Sequence, residues 1–117
     1  MLSPAAIGPY SQAIEVNGMI YTSGQLPIDY KTGLMPVDVE EQAAQSLKNV
    51  FAILKEAGIN PSNVIKTTVF IKDMNDFPRI NKVYETFFTD NYPARSCVEV
   101  ARLPKDALIE IEVVAYK

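Results

Sequence analysis

Short alternating runs of apolar and polar residues stand toward both ends of the chain, and helical spacing dominates between them. Gln12–Val16 and Met19–Ser23 flank Asn17-Gly18. That dipeptide is the strongest short hairpin signal, because a tight two-residue turn needs positive φ at both central positions. Residues 24–36, with Pro27, Gly33 and Pro36, read as a loop. Asp38 followed by Glu41 has the spacing of a capping box. Ala43, Leu47, Val50, Phe51 and Leu54 then recur at helical spacing until Gly58. Val64–Lys72 reads as a strand. Asp76 is placed to cap a second helix with Phe77, Ile80, Val83, Tyr84, Phe87 and Phe88 as its apolar stripe. Arg95–Ala101 and Ala107–Tyr116 complete the order ββαβαββ, one α+β domain over residues 1–117.

The last two strands place charge where strands usually place apolar contact. Side chains alternate between faces. Ser96, Val98 and Val100 therefore share one face of their strand, and Arg95, Cys97 and Glu99 the other. In the final strand Ile109, Ile111, Val113 and Ala115 form an apolar face opposite Glu110 and Glu112. Two helices can cover one face of such a sheet. The second face is expected to carry Arg95, Cys97 and the glutamates, with nothing left in the chain to cover it. Self-association is the economical expectation, since most soluble oligomers are symmetric homo-oligomers.

Composition narrows the chemistry. With no histidine and one cysteine, serine-histidine and cysteine-histidine pairs are excluded, and so is an internal disulfide. A zinc or copper site would lack its usual ligands, and no metal or other cofactor is expected. A net charge of −3 argues against a broad phosphate-binding surface, hence against a nucleic-acid partner. No apolar run approaches the roughly 20 residues of a membrane span. The N-terminal residues lack a signal-peptide pattern, so a cytoplasmic location is expected. Acid–base work falls to carboxylates, tyrosine, lysine, the thiol or water.

Arg95 offers a planar fork suited to a small carboxylate, and equally to a salt bridge with a glutamate. Glu110, on a partly buried face, could have a raised pKa and exchange protons near neutrality; a solvated face, or pairing with Lys105 or Arg102, fits the sequence as well. Cys97 is a small hydrophobe whose thiolate Arg95 could stabilise. Periodicity does not choose between Glu110 and Glu112.

The segments IGPYSQAIEVNGMIYTSGQLP (residues 7–27), IKTTVFIKDMNDFPRINKVYETFF (65–88) and PARSCVEVARLPKDALIEIEVVAY (93–116) closely resemble the reactive intermediate deaminase family, also called RidA or YjgF. The resemblance covers nearly the whole chain in the family's order. It implies a chorismate-mutase-like fold, with the last strand inside the sheet despite the hairpin-like Leu103–Asp106 connection. It implies a homotrimer with sheets facing inward and ligand sites in clefts between subunits. It also implies a set of roles. Arg95 in PARS matches the substrate-carboxylate arginine, and Glu110, the first glutamate of IEIE, the catalytic carboxyl. Tyr10, Gly24, Asn81 and Cys97 match substrate-pocket positions, Cys97 chiefly through its backbone N–H. Read residue by residue, the same positions could be a packed aromatic, a turn glycine, a solvent-facing helix residue and a buried thiol.

The activity implied is hydrolysis of the enamine or imine that a pyridoxal-phosphate dehydratase releases from serine or threonine, giving a 2-keto acid and ammonia. The dehydratase would be a functional partner. The alternative is a metabolite-binding or regulatory trimer that uses Arg95 without turnover. RNA cleavage, attached to some relatives, is the weakest reading for an acidic chain without histidine. One departure stands out: Thr89-Asp90-Asn91-Tyr92 is a few residues shorter than the usual family segment before PARS, which bears on substrate breadth.

Overall fold

The computed structural model describes residues 10–117, so positions 7–9 of the first motif lie outside the described residues. Five strands form one mixed sheet: β1 (Ala13–Val16), β2 (Met19–Thr22), β3 (Val64–Ile71), β4 (Ala94–Glu99) and β5 (Ile109–Tyr116), in the order β1-β2-β5-β3-β4. β3 and β4 are parallel and the other neighbours antiparallel. Two helices, α1 (Val39–Glu56) and α2 (Phe77–Phe87), accompany the sheet. The expected order of elements and the central place of β5 both hold, with strand ends differing by one or two residues.

Local chemistry explains most of the boundaries. Asn17 and Gly18 take φ of 51° and 79° and close β1 onto β2. The Asp38 carboxylate accepts the Glu40 and Glu41 N–H groups at 3.0 and 3.2 Å, opening α1. Gly58, at φ 75°, follows its end. Asp76 does not cap α2: its side chain makes no cap bond. A short 3-10 turn at Met74–Asp76 leads into the helix, and Asp73 caps that turn through the Asn75 N–H at 2.9 Å. The carboxylate needed was three residues earlier because the chain enters α2 through an extra turn.

The core lies between the helices and one face of the sheet. Ile109, Ile111, Val113 and Ala115 of β5 meet Ala43, Leu47, Val50 and Leu54 of α1 and Ile80, Tyr84 and Phe88 from α2 and its end. These side chains are almost fully removed from water. The opposite face carries Ile14, Val16, Tyr21, Val98 and Tyr116, each between 43% and 52% exposed.

Register overturns one expectation. β4 opposes Arg95 to Thr67 and Cys97 to Val69, and Thr67 and Val69 are buried in the helix-covered layer. β5 opposes Glu112 to Thr68 and Glu110 to Phe70. Arg95 and Cys97 therefore face the helices, while Glu110 and Glu112 lie on the open face with Ser96 and Val98. Alternation fixes parity within a strand, and only pairing register fixes it between strands.

Candidate active site

Glu110 sits at the start of β5, beside the loop that follows β2. Gln25 forms an isolated bridge to Ile111, with Gln25 N donating to Ile111 O at 2.7 Å and Ile111 N returning to Gln25 O at 3.3 Å. That pairing lays Gly24 against the Glu110 carboxyl. A Cβ at Gly24 would overlap Glu110 Oε1, so the glycine here makes room for the acid. Tyr10, Ser23, Gly24, Lys105 and Glu110 line a cavity of about 320 Å³ with Gln12, Gln25, Leu26, Ile28 and Pro104. The Glu110 pKa is raised above the usual carboxylate range, first by burial and then by the Glu112 charge. No ion pair involves Glu110 among the described residues, and Arg102 pairs instead with Asp106 at 2.7 Å.

Three polar residues of α1 hold this cavity's loop in place. Ser46 Oγ donates to Gln25 O at 2.5 Å. Asn49 Nδ2 donates to Leu26 O at 3.0 Å and Ile28 O at 2.9 Å. Gln42 donates to Pro36 O at 2.7 Å and accepts from Leu108 N at 2.9 Å. All three side chains belong to buried residues. The seam satisfies carbonyls that the loop cannot pair within itself.

Arg95 lies on the other face, at the sheet edge. Its Nη1 donates to Asn81 Oδ1 at 2.7 Å. Its guanidinium carbon is 4.7 Å from the Tyr84 ring centre and 5.1 Å from that of Phe77, a cation–π seat on both rings. Tyr84 Oη in turn shares a 2.8 Å hydrogen bond with Thr67 Oγ1. Arg95 opens into a cleft with Asn81, Glu85, Tyr92 and Pro93, and no ion pair involves it among the described residues. Among the described residues an internal salt bridge is therefore not its role. Burial pushes the Cys97 thiol up further than Arg95 pulls it down.

The six residues singled out from the sequence thus form two groups. Tyr10, Gly24 and Glu110 surround one cavity. Arg95 and Asn81 share another cleft, with Cys97 on the same face of β4. Asn81 is bonded to Arg95, which makes it a support of the fork as well as a lining residue. Several contributors went unseen in the sequence. Gln42, Ser46 and Asn49 had a signal, polar residues at helical spacing beside an apolar stripe. Tyr84 was read only as core, and Lys105 only as a partner for Glu110.

The family described as Endoribonuclease L-PSP matches residues 1–117. A 2-iminobutanoate/2-iminopropanoate deaminase of Escherichia coli is 57% identical over 118 residues, covering 98% of this chain and 92% of that protein. A RutC family protein of Pasteurella multocida is 57% identical over 119 residues, with the same coverage. Among solved structures, E. coli TdcF with bound serine superposes with a TM-score of 0.96 at 51% identity, covering 99% of this chain and 94% of that one. The YjgF gene product of E. coli gives a TM-score of 0.96 at 55% identity, with the same coverage.

Proposed function

The chain belongs to the reactive intermediate deaminase family, matched by the Endoribonuclease L-PSP description, and on that premise we propose that it hydrolyses small 2-imino acids to 2-keto acids and ammonia. The substrates are the enamine and imine products of pyridoxal-phosphate dehydratases acting on serine or threonine, such as 2-aminoacrylate and its threonine-derived homologue. The observation that carries this reading is the Glu110 carboxyl. It stands in a cavity, seated against Gly24, with a raised pKa and no ion pair among the described residues. Such a group suits taking a proton from a bound water and giving it back.

The proposed chemistry needs positioning and proton transfer. Arg95 binds the substrate carboxylate through its fork, supported by Asn81, Tyr84 and Phe77. Backbone N–H groups near Gly24 and Cys97 assist. Glu110 takes a proton from water as the water oxygen bonds to the carbon of the protonated imine, whose C=N π electrons pass to nitrogen as a lone pair. Glu110 returns that proton to the nitrogen of the neutral carbinolamine, the C–N bond breaks to release ammonia, and the hydroxyl proton passes to the Glu110 carboxylate as C=O forms. Tyr10 lines the pocket around the attacking water. An imine is already electrophilic, so these steps suffice in principle.

Arg95 and Glu110 lie on opposite faces of one sheet, so a site that uses both takes them from two chains. A chorismate-mutase-like homotrimer, with the apolar open faces packed inward, supplies that arrangement. TdcF, at 51% identity, is a relative solved with bound serine, a ligand of the carboxylate class that Arg95 suits. The endoribonuclease in the family's description fits less well with a net charge of −3 and no histidine.

The test couples the protein to a serine or threonine dehydratase and follows keto-acid release. Faster release is expected. Unchanged release together with tight keto-acid binding would favour a metabolite-binding trimer without turnover.

A further inference from the structure

We propose that Lys105 is a specificity-determining residue, a cation that draws carboxylate-bearing substrates into the Glu110 cavity; this rests on the deaminase reading of the site. Lys105 lines that cavity with Tyr10, Gly24 and Glu110, and is the only cation among its described lining residues. Its backbone is left-handed, at φ 57° and ψ 22°, and Asp106 follows at φ 57°. That region is normally filled by glycine or asparagine, because a Cβ crowds the backbone there. Two consecutive non-glycine residues in it are a costly way to make a turn, and such strain gathers at sites that use the side chain it presents.

The turn is secured from both sides. Leu103 and Ala107 are buried at 7% and 1% exposure. Asp106 N donates to Leu103 O at 3.1 Å, and Ala107 N to Pro104 O at 3.2 Å. Arg102 donates to both Asp106 carboxylate oxygens, at 2.7 and 3.3 Å. The charges of Arg102 and Asp106 therefore answer each other. Lys105 is in no ion pair among the described residues, and its ammonium remains as the uncommitted charge of the turn.

The cavity has use for that charge. Glu110 must be ionised to act as a base, and Glu112 lies on the same face of the same strand. An incoming carboxylate meets the Glu110 charge in a partly desolvated cavity that Glu112 itself does not line. In the shared site proposed above, the Arg95 of a second chain grips the carboxylate. Lys105 adds a second cation from the Glu110 side of the cavity, which favours small anionic 2-imino and 2-keto acids over neutral analogues.

The test compares wild type, Lys105→Gln, Lys105→Arg and Lys105→Gly. Affinity for 2-ketobutyrate is measured by calorimetry at low and physiological ionic strength, with kcat and KM from the coupled assay. Loss of the cation should weaken 2-ketobutyrate binding by roughly 3- to 10-fold and flatten its salt dependence, with the loss falling on KM rather than kcat. Lys105→Arg should restore most of both. Lys105→Gly relieves the left-handed strain and should still fold, so its weakened binding would report charge and not collapse. Wild-type affinity and salt slope in the glutamine and glycine variants overturn the proposal, as does a loss confined to kcat. A wild type that binds 2-ketobutyrate without turnover sinks the deaminase reading alone, and the binding series still decides Lys105. A wild type that binds no carboxylate overturns both.

Discussion

Glu110 concentrates the residue-scale argument, because its environment makes opposing demands. Burial and Glu112 favour its neutral form, yet a general base works ionised. The rate should therefore fall on the acid side with an inflection above the ordinary glutamate value of about 4.3. Glu112→Gln should move that inflection down, as a pH–rate profile would read. Glu110→Gln should slow hydrolysis by about 10²- to 10⁴-fold, the usual scale of general-base catalysis. The sign for stability is opposite. A carboxyl whose folded pKa is raised contributes stability below its unfolded pKa and loses it as pH rises through the folded one. Glu110→Gln should thus melt higher than wild type near neutrality and equally at strongly acid pH; a lower melting point near neutrality would contradict the burial argument. Gly24→Ala, which drives a methyl into the Glu110 carboxyl, should cut kcat while preserving the fold. Arg95→Ala should weaken keto-acid binding by about 10- to 150-fold, the worth of a charge-assisted contact of about 1.5–3 kcal/mol. Arg95→Lys should recover little of it, since a point charge cannot reproduce the fork.

At the scale of elements, what the sequence made legible is whatever a single segment decides for itself. The Asn17-Gly18 turn, the Asp38 cap and the apolar stripe of α1 are local signals, and each appears where its residues placed it. The two glutamates on one side of β5 and the apolar face opposite them were equally readable. Asp76 failed as a cap because the geometry depends on how the chain enters α2, which the cap residue does not encode. The face of Arg95 failed for a related reason: its parity relative to Glu110 is set by the β3–β4 register, a property of two strands. The polar seam of α1 is intermediate. Its spacing was visible, but its partners are loop carbonyls that only the fold brings near. Asn49→Ala would leave Leu26 O and Ile28 O without that donor, at a cost of about 1–3 kcal/mol for each buried group left unpaired. Urea unfolding should show a loss on that scale. The cavity loop should loosen too, lowering kcat though Asn49 lies outside the cavity lining.

At the scale of the whole molecule the site and the open sheet face pose a single question. The helices cover one face, and the other exposes Tyr21, Val98 and Tyr116 beside Glu110 and Glu112. Apolar strand residues left half exposed are expected at an interface, where their burial drives association. Val98→Glu should therefore shift the protein toward smaller species in sedimentation and remove activity with it; activity retained in a purely monomeric variant would rule out a shared site. Mixing the two impaired chains is more decisive. Arg95→Ala keeps Glu110, and Glu110→Gln keeps Arg95, so an interface between unlike chains can carry both intact groups in one of its two orientations. With random 1:1 mixing, one half of the chains supply each group, and about a quarter of the sites should be complete in a ring of heterologous interfaces. Assayed at low substrate, co-refolded mixtures should regain activity on that scale, whereas either variant alone should keep only the residual activity its own defect leaves. If the mixture stays as impaired as its components, Arg95 and Glu110 do not meet across chains. The separation of the two groups across one sheet would then have to be bridged by something other than a second copy.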